Sequence, residues 1–249
     1  MKKKTGYLII TLAAILVIVN TLFLFYLGDF DFPDFTKKEN VDDQKVNASE
    51  FSDVVDNRYF TLTPGTKYVY EGDTEDGLER TETYVTEEKR TVNGIETTVV
   101  WDRVWLEDEL IEETYDWYAQ DKEGNVWYFG ENSTEYENGK VSSTKGSWEA
   151  GVDGAEAGII MKANPVVGDK YKQEYYKGVA EDMAEIVSLG EIVETKYETF
   201  SDCLKTKDWN PLESGSGEYK YYCPATGNVV LEIVIETDEQ VELIDIVTY

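Results

Sequence analysis

Four acids stand close together among aromatic rings. Glu112, Glu113, Asp116 and Asp121 fall within ELIEETYDWYAQDKEGNVWYFGE, beside Tyr115, Trp117, Tyr118, Trp127, Tyr128 and Phe129. Two carboxyl groups flanking a sugar can hydrolyse a glycosidic bond, and aromatic faces can stack on the ring, so this chemistry needs no imidazole. That matters because the chain contains no His. A Ser-His-Asp or Cys-His nucleophile is therefore impossible within it. Imidazole-based zinc sites are excluded, and two Cys cannot build a four-thiolate site. However, with 51 Asp and Glu in 249 residues, neighbouring acids and aromatics arise from composition alone. The expectation is a chain with no catalytic residues. A second acidic run, GSWEAGVDGAEAGIIM, brings Glu149, Asp153 and Glu156 near several Gly, but neither it nor EGDTEDG matches the spacing of an EF-hand loop. No metal or other cofactor is expected.

The elements that must carry these residues are strands. Asp121-Lys122-Glu123-Gly124 suits a type I turn followed by a residue at positive φ, with Tyr115 to Gln120 and Asn125 to Phe129 as its arms. On this reading the acids gather at the turn, in solvent. From Tyr59 onward the chain is rich in Val, Thr, Tyr and Trp and is broken at short intervals by turn signals. Asn93-Gly94 and Asn138-Gly139 are hairpin pairs, and further turns are expected at Asp76-Gly77 and near Asp108. VAEDMAEIV is read as strand and GSWEAGVDGAEAGIIM as a glycine-rich loop. Around Trp101, one face carries Val99, Trp101, Arg103 and Trp105; the other carries Val100, Asp102, Val104 and Leu106. Both faces hold apolar residues. Either the sheet packs on both sides, or it curves around an apolar cavity. The fold class expected is mainly β: a curved antiparallel sheet, half-barrel or sandwich-like meander, after one N-terminal transmembrane helix.

Cys203 and Cys223 flank a stretch with Pro211 and the turn-like ESGSG. A hairpin centred on Glu213 places the two opposite each other, at a spacing a disulfide can bridge. Two free buried thiols are the alternative.

Composition speaks to location. Lys and Arg number 23 against 51 acids, a formal charge of −28. Such a body repels nucleic acid and anionic headgroups. YLIITLAAILVIVNTLFLFYL, residues 7–27, is long enough as a helix to span a bilayer, and Lys2, Lys3 and Lys4 before it favour a cytoplasmic N-terminus. Large residues at its end (Phe25, Tyr26, Leu27) favour an uncleaved signal-anchor over a cleaved peptide. The organisation expected is a basic cytoplasmic tail at 1–6, the anchor at 7–27, an acidic linker at 28–57 containing Pro33, Phe30, Phe32 and Phe35, and an extracytoplasmic β domain at 58–249.

Three stretches carry a resemblance. YFTLTPGTKYVYEG resembles the PLxxGxxWxY opening of a family of uncharacterised extracytoplasmic bacterial and archaeal β-proteins. ETKYETFSDCLKT resembles their VPAGTFxxCLK strand, and KYYCPATGNVVLE their WYAPGVGLVKE strand. Thr195-Lys196-Tyr197-Glu198 replaces Pro-Ala-Gly, Cys223 stands at a position usually small, and Thr226 and Asn228 interrupt the glycine run. The resemblance implies a concave sheet akin to the LolA-like lipoprotein-carrier half-barrel, able to hold an apolar or lipidic ligand. It implies no catalytic residue. The function expected is a membrane-anchored, non-catalytic domain binding such a ligand or another cell-envelope component. A protein-interaction module with an acidic surface and a carboxylate-based glycoside-acting enzyme are the alternatives.

Overall fold

Turn chemistry builds this protein one hairpin at a time. The computed structural model describes residues 47–249 except Ser214 and Ser216. The apolar run at 7–27, with the basic tail and the linker as far as residue 46, lies outside the described residues. Among the described residues no helix is long and apolar enough to cross a membrane.

The strands are β1 (Phe51–Ser52), β2 (Val55–Asn57), β3 (Phe60–Leu62), β4 (Thr66–Thr74), β5 (Gly77–Val92), β6 (Ile95–Leu106), β7 (Glu109–Asp121), β8 (Val126–Glu137), β9 (Lys140–Ser143), β10 (Trp148–Glu149), β11 (Glu156–Met161), β12 (Lys170–Lys172), β13 (Glu174–Tyr175), β14 (Met183–Glu194), β15 (Thr199–Trp209), β16 (Glu218–Cys223), β17 (Asn228–Val234) and β18 (Gln240–Thr248). All pairings are antiparallel. Asn93-Gly94 joins β5 to β6 with φ of 48° and 81°, the doubly left-handed turn whose twist matches the strands. Asn138-Gly139 does the same between β8 and β9 at 52° and 70°. Glu107-Asp108 adopts this conformation too, at 49° and 67°, without a glycine. The Asp121 turn forms as read: the Gly124 amide donates to the Asp121 carbonyl, and Gly124 lies at φ 93°.

Two expectations need correcting. The acidic linker was expected to run to residue 57, but Phe51–Ser52 pairs with β7 and Val55–Asn57 pairs with β3, so this part belongs to the folded domain. The glycine-rich run at 146–161 is not all loop, since it contains β10 and β11. The loop proper is short, and Gly151, Asp153 and Gly154 supply its positive φ. Strand does form in VAEDMAEIV, but only from Met183.

All of these strands except β2 and β3, which pair as a separate hairpin, make one sheet in the order β12-β14-β15-β16-β17-β18-β4-β5-β6-β7-β8-β11-β13, with β1, β9 and β10 as short additions. Its two ends, β12 and β13, are consecutive pieces of the same stretch. Lys170–Lys172 pairs with β14, and Glu174–Tyr175 pairs with β11. The chain changes neighbours at Gln173, so the sheet curls into a nearly closed barrel. Gly158 makes the seam possible: a Cβ there would lie 2.4 Å from the Gln173 carbonyl. The β2–β3 hairpin covers one end of the barrel. Gln120 accepts from the Asp56 and Asn57 amides on one side, and the Thr61 amide donates to the Gly227 carbonyl on the other. Phe60 packs on Tyr118 beneath it.

Leu204 faces Tyr222 and Thr206 faces Lys220, which is the register of a hairpin centred on Glu213. Cys203 and Cys223 are joined by a disulfide, with Cα atoms 4.2 Å apart and a sequence separation of 20. Closing a loop of that length restricts the unfolded chain by roughly 3 kcal/mol. Reducing the bond, or replacing both Cys with Ser, is expected to lower the denaturation midpoint by a corresponding amount, read by tryptophan fluorescence in urea with and without reductant.

Candidate functional site

Strand alternation decides which residues meet inside. On one wall, register places Tyr70, Thr81, Val104, Glu112 and Glu135 in one transverse row. The next row holds Tyr68, Thr83, Asp102, Thr114 and Ser133, and a third holds Val85, Val100, Asp116 and Glu131. On the other wall, Ile186, Thr206, Lys220, Glu232 and Val241 form a row beside Ala184, Asp208, Glu218 and Val234. These residues share one face of the sheet because directly opposed antiparallel residues do so.

The interior is therefore rich in acid. Among the described residues, nine Asp and Glu are buried (Glu79, Asp102, Glu112, Asp116, Glu131, Glu174, Asp208, Glu218 and Glu232) against a single buried cation, Lys220. Its ammonium lies 2.8 Å from Glu218, 3.5 Å from Glu232 and 4.0 Å from Asp208. Burial works against the ammonium, but the surrounding carboxyls more than offset this and hold Lys220 well above its ordinary pKa. The walls meet across the interior. Lys220 acts on Asp102 of β6, and the Tyr70 hydroxyl donates to the Val229 carbonyl of β17 at 3.1 Å.

Burial is the first cause of every acid shift here, because a carboxylate removed from water is destabilised relative to the neutral acid. Asp102 rises to about 6, with Thr83, Asp116 and Lys220 pulling it back. Glu112 rises to about 8; Thr114 donates to it at 3.0 Å, while Glu135 and Asp102 push further up. Asp182, in the turn before β14, rises to about 7, held back by Glu174 and Lys220. Asp116, Glu131 and Glu174 stand well above the usual carboxylate range, through burial and then through one another and their acidic neighbours.

The acids singled out from the sequence scatter. Asp121 and Glu123 do sit at the exposed turn, and Asp121 caps it by accepting from the Glu123 and Asn125 amides and the Trp127 indole. The expectation of solvent-facing acids fails for Asp116, which is 0 % exposed, and for Glu131, which is 3 % exposed. Glu112 joins them inside, while Glu113 faces out and accepts from the Trp101 indole and the Tyr136 hydroxyl. Asp116 and Glu131 do converge, on the Tyr128 hydroxyl, at 2.5 and 2.8 Å. Both are closed off from solvent, so the pair is not presented to a sugar. Glu149 is taken up by Arg90, and Asp153 and Glu156 stay exposed. Among the described residues no group of three or more Cys, Asp or Glu is arranged to hold a metal ion.

The outer wall is aromatic but self-satisfied. Trp101 lies between the Arg103 guanidinium, 4.0 Å from its ring centre, and the parallel ring of Tyr115. Arg103 also pairs with Glu82. A surface cavity of about 450 Å³ opens beside β12, β14 and β15, lined by Lys170, Glu185, Lys207 and Trp209 among others, and the buried carboxyls do not line it.

Sequence reasoning missed Asp208, Glu218, Lys220 and Glu232. A signal was present: Glu232 is the one charged residue in NVVLEIV, and Glu218, Lys220 and Tyr222 alternate with Tyr219 and Tyr221. Comparison of the chain with protein-family models, characterised proteins and solved structures finds no match.

Two outcomes follow from the interior charges. Replacing Lys220 with Met strands three acids without their cation and is expected to cost about 3 kcal/mol or more near neutral pH. The loss should shrink in acid, where the carboxyls take up protons; urea titrations at both pH values measure it. The whole domain should also lose stability as pH rises. An acid whose folded pKa is raised contributes fully below its unfolded value, about 4, and that contribution is lost as pH climbs through the folded value. For Asp102, Asp182 and Glu112 the window thus runs from about 4 to about 6, 7 and 8. The melting temperature should be higher near pH 5 than near pH 8, and Glu112→Gln should reduce the fall.

Proposed function

We propose that the chain is a membrane-anchored domain on the outer side of the cytoplasmic membrane, and that it acts by binding a component of the cell envelope rather than by catalysis. The observation that carries this reading is the Cys203–Cys223 disulfide, since such bonds persist in oxidising compartments. The apolar run at 7–27 behind three Lys residues supplies the anchor and its orientation. The turn and strand likeness to extracytoplasmic β-proteins is in keeping with both.

The barrel supports an outside partner over an inside ligand. Its interior is filled by its own side chains, with Tyr70, Tyr128, Met161, Ile186, Leu204 and Leu243 fully buried and carboxyl groups among them. An acyl chain placed there would displace these packed groups and leave the carboxyls without partners. The outer surface offers a different recognition principle. From Asn47 on, acids outnumber Lys and Arg by 45 to 17, a field that draws in a basic partner and weakens with salt.

The expected outcome is that the full chain fractionates with membranes, that protease added outside intact spheroplasts digests the body, and that deleting residues 7–27 releases it. In-cell cross-linking should recover one dominant basic envelope protein, with yield falling as salt is raised. A body protected from external protease would overturn the topology. Correct topology with no reproducible partner, or with a co-purifying lipid instead, would overturn the interaction reading alone.

A further inference from the structure

The hydrogen count around Tyr128 does not close with ionised carboxylates. A phenol carries one hydrogen, yet the Tyr128 oxygen lies 2.5 Å from Asp116 Oδ1 and 2.8 Å from Glu131 Oε2. An ionised carboxylate only accepts, so Tyr128 can satisfy one of these contacts and the other needs a carboxylic acid as donor. On the neighbouring strand, Asp102 acts on Asp116, and Asp102 Oδ1 and Asp116 Oδ2 are both buried without a hydrogen-bond partner; two carboxyls can satisfy each other only when one of them is protonated. The hydroxyl of Thr81, 1 % exposed and two residues from Thr83 on the same inner face, reaches no hydrogen-bond partner, so it does not make up the shortfall.

The surroundings reinforce this count. From β7, Glu112 and Tyr118 face the group; from β13 and the turn before β14 come Glu174 and Asp182. Trp148 of β10 packs edge-on against the Tyr128 ring and gives its indole hydrogen to Glu174, 2.7 Å away. Among the described residues the cation acting on the group is Lys220, on the opposite wall, and it is already shared among Glu218, Glu232 and Asp208.

We propose that Asp102, Asp116, Tyr128 and Glu131 form a proton-binding site, occupied at neutral pH, that acts as a pH-sensitive latch between β6, β7 and β8. With its protons in place, the chain of hydrogen bonds ties three strands together from inside. Their loss would set carboxylates against one phenol oxygen and against each other, in a place closed off from solvent, and the strands would loosen.

The test uses the purified full-length chain. Infrared spectroscopy near pH 7 should show a carboxylic-acid C=O band that weakens on raising the pH toward about 9 and is diminished by Asp116→Asn and by Glu131→Gln. Hydrogen exchange in β7 and β8 should accelerate over the same range beyond the intrinsic base-catalysed rate, and the double variant should lack that extra acceleration. Should one variant fail to fold, the other decides, measured in a Glu112→Gln background that removes the neighbouring acid's share of the band. Only carboxylate absorption near neutral pH, a band untouched by both substitutions, or a stoichiometric bound cation in native mass spectrometry would overturn the proposal.

Discussion

A carboxyl group taken out of water can keep its charge only where donors or a cation meet it, and otherwise it must keep its proton. That constraint governs the inside of this barrel. Among the described residues one buried Lys faces nine buried acids, and no arrangement of a single ammonium satisfies them all. Lys220 therefore serves the β15–β17 wall, where Asp208, Glu218 and Glu232 surround it. The β6–β8 wall relies on hydroxyls and on protons. The tyrosines are consistent with this division. Tyr128 sits between two carboxyls, and Tyr118 stacks against it.

Closure of the sheet is what imposes the constraint. An open half-barrel would leave its concave acids in solvent, where ionisation costs nothing. Here one stretch pairs with β14 and then with β11 by switching neighbours at Gln173, and Gly158 gives the backbone room to do so. The β2–β3 hairpin covers an end, and the Cys203–Cys223 bond sits close to where that hairpin meets the β16–β17 turn. Other charged side chains lie on the outer wall, where Glu82 joins Lys67, Arg80 and Arg103, and Glu113 meets the Trp101 indole.

Much of the local structure was legible in the sequence because it depends on neighbours in sequence. Asn93-Gly94, Asn138-Gly139 and the Asp121 turn require only that particular residues tolerate particular φ values. The Cys203–Cys223 pairing followed from hairpin symmetry. The linker boundary was not legible: Phe51 was assigned to the linker, but its ring packs between Trp127 and Phe129 of a strand far along the chain. Nor was the acid interior. Residues 99 to 106 showed two apolar faces, and alternation alone separates those faces without saying which turns inward.

The sequence by itself determined most of the long strands, their turns, the disulfide register and the absence of imidazole chemistry, all of which rest on local geometry or on composition. Tertiary structure alone decided that Asp102, Asp116 and Glu131 share one closed space with Lys220. These residues come from four strands, and the curvature that brings β16 opposite β6 is a property of the closed sheet rather than of any strand. An acid between aromatics reads the same in a solvent-facing hairpin and in a sealed barrel. What separates the two is the loss of water, and that loss depends on every other strand being in place.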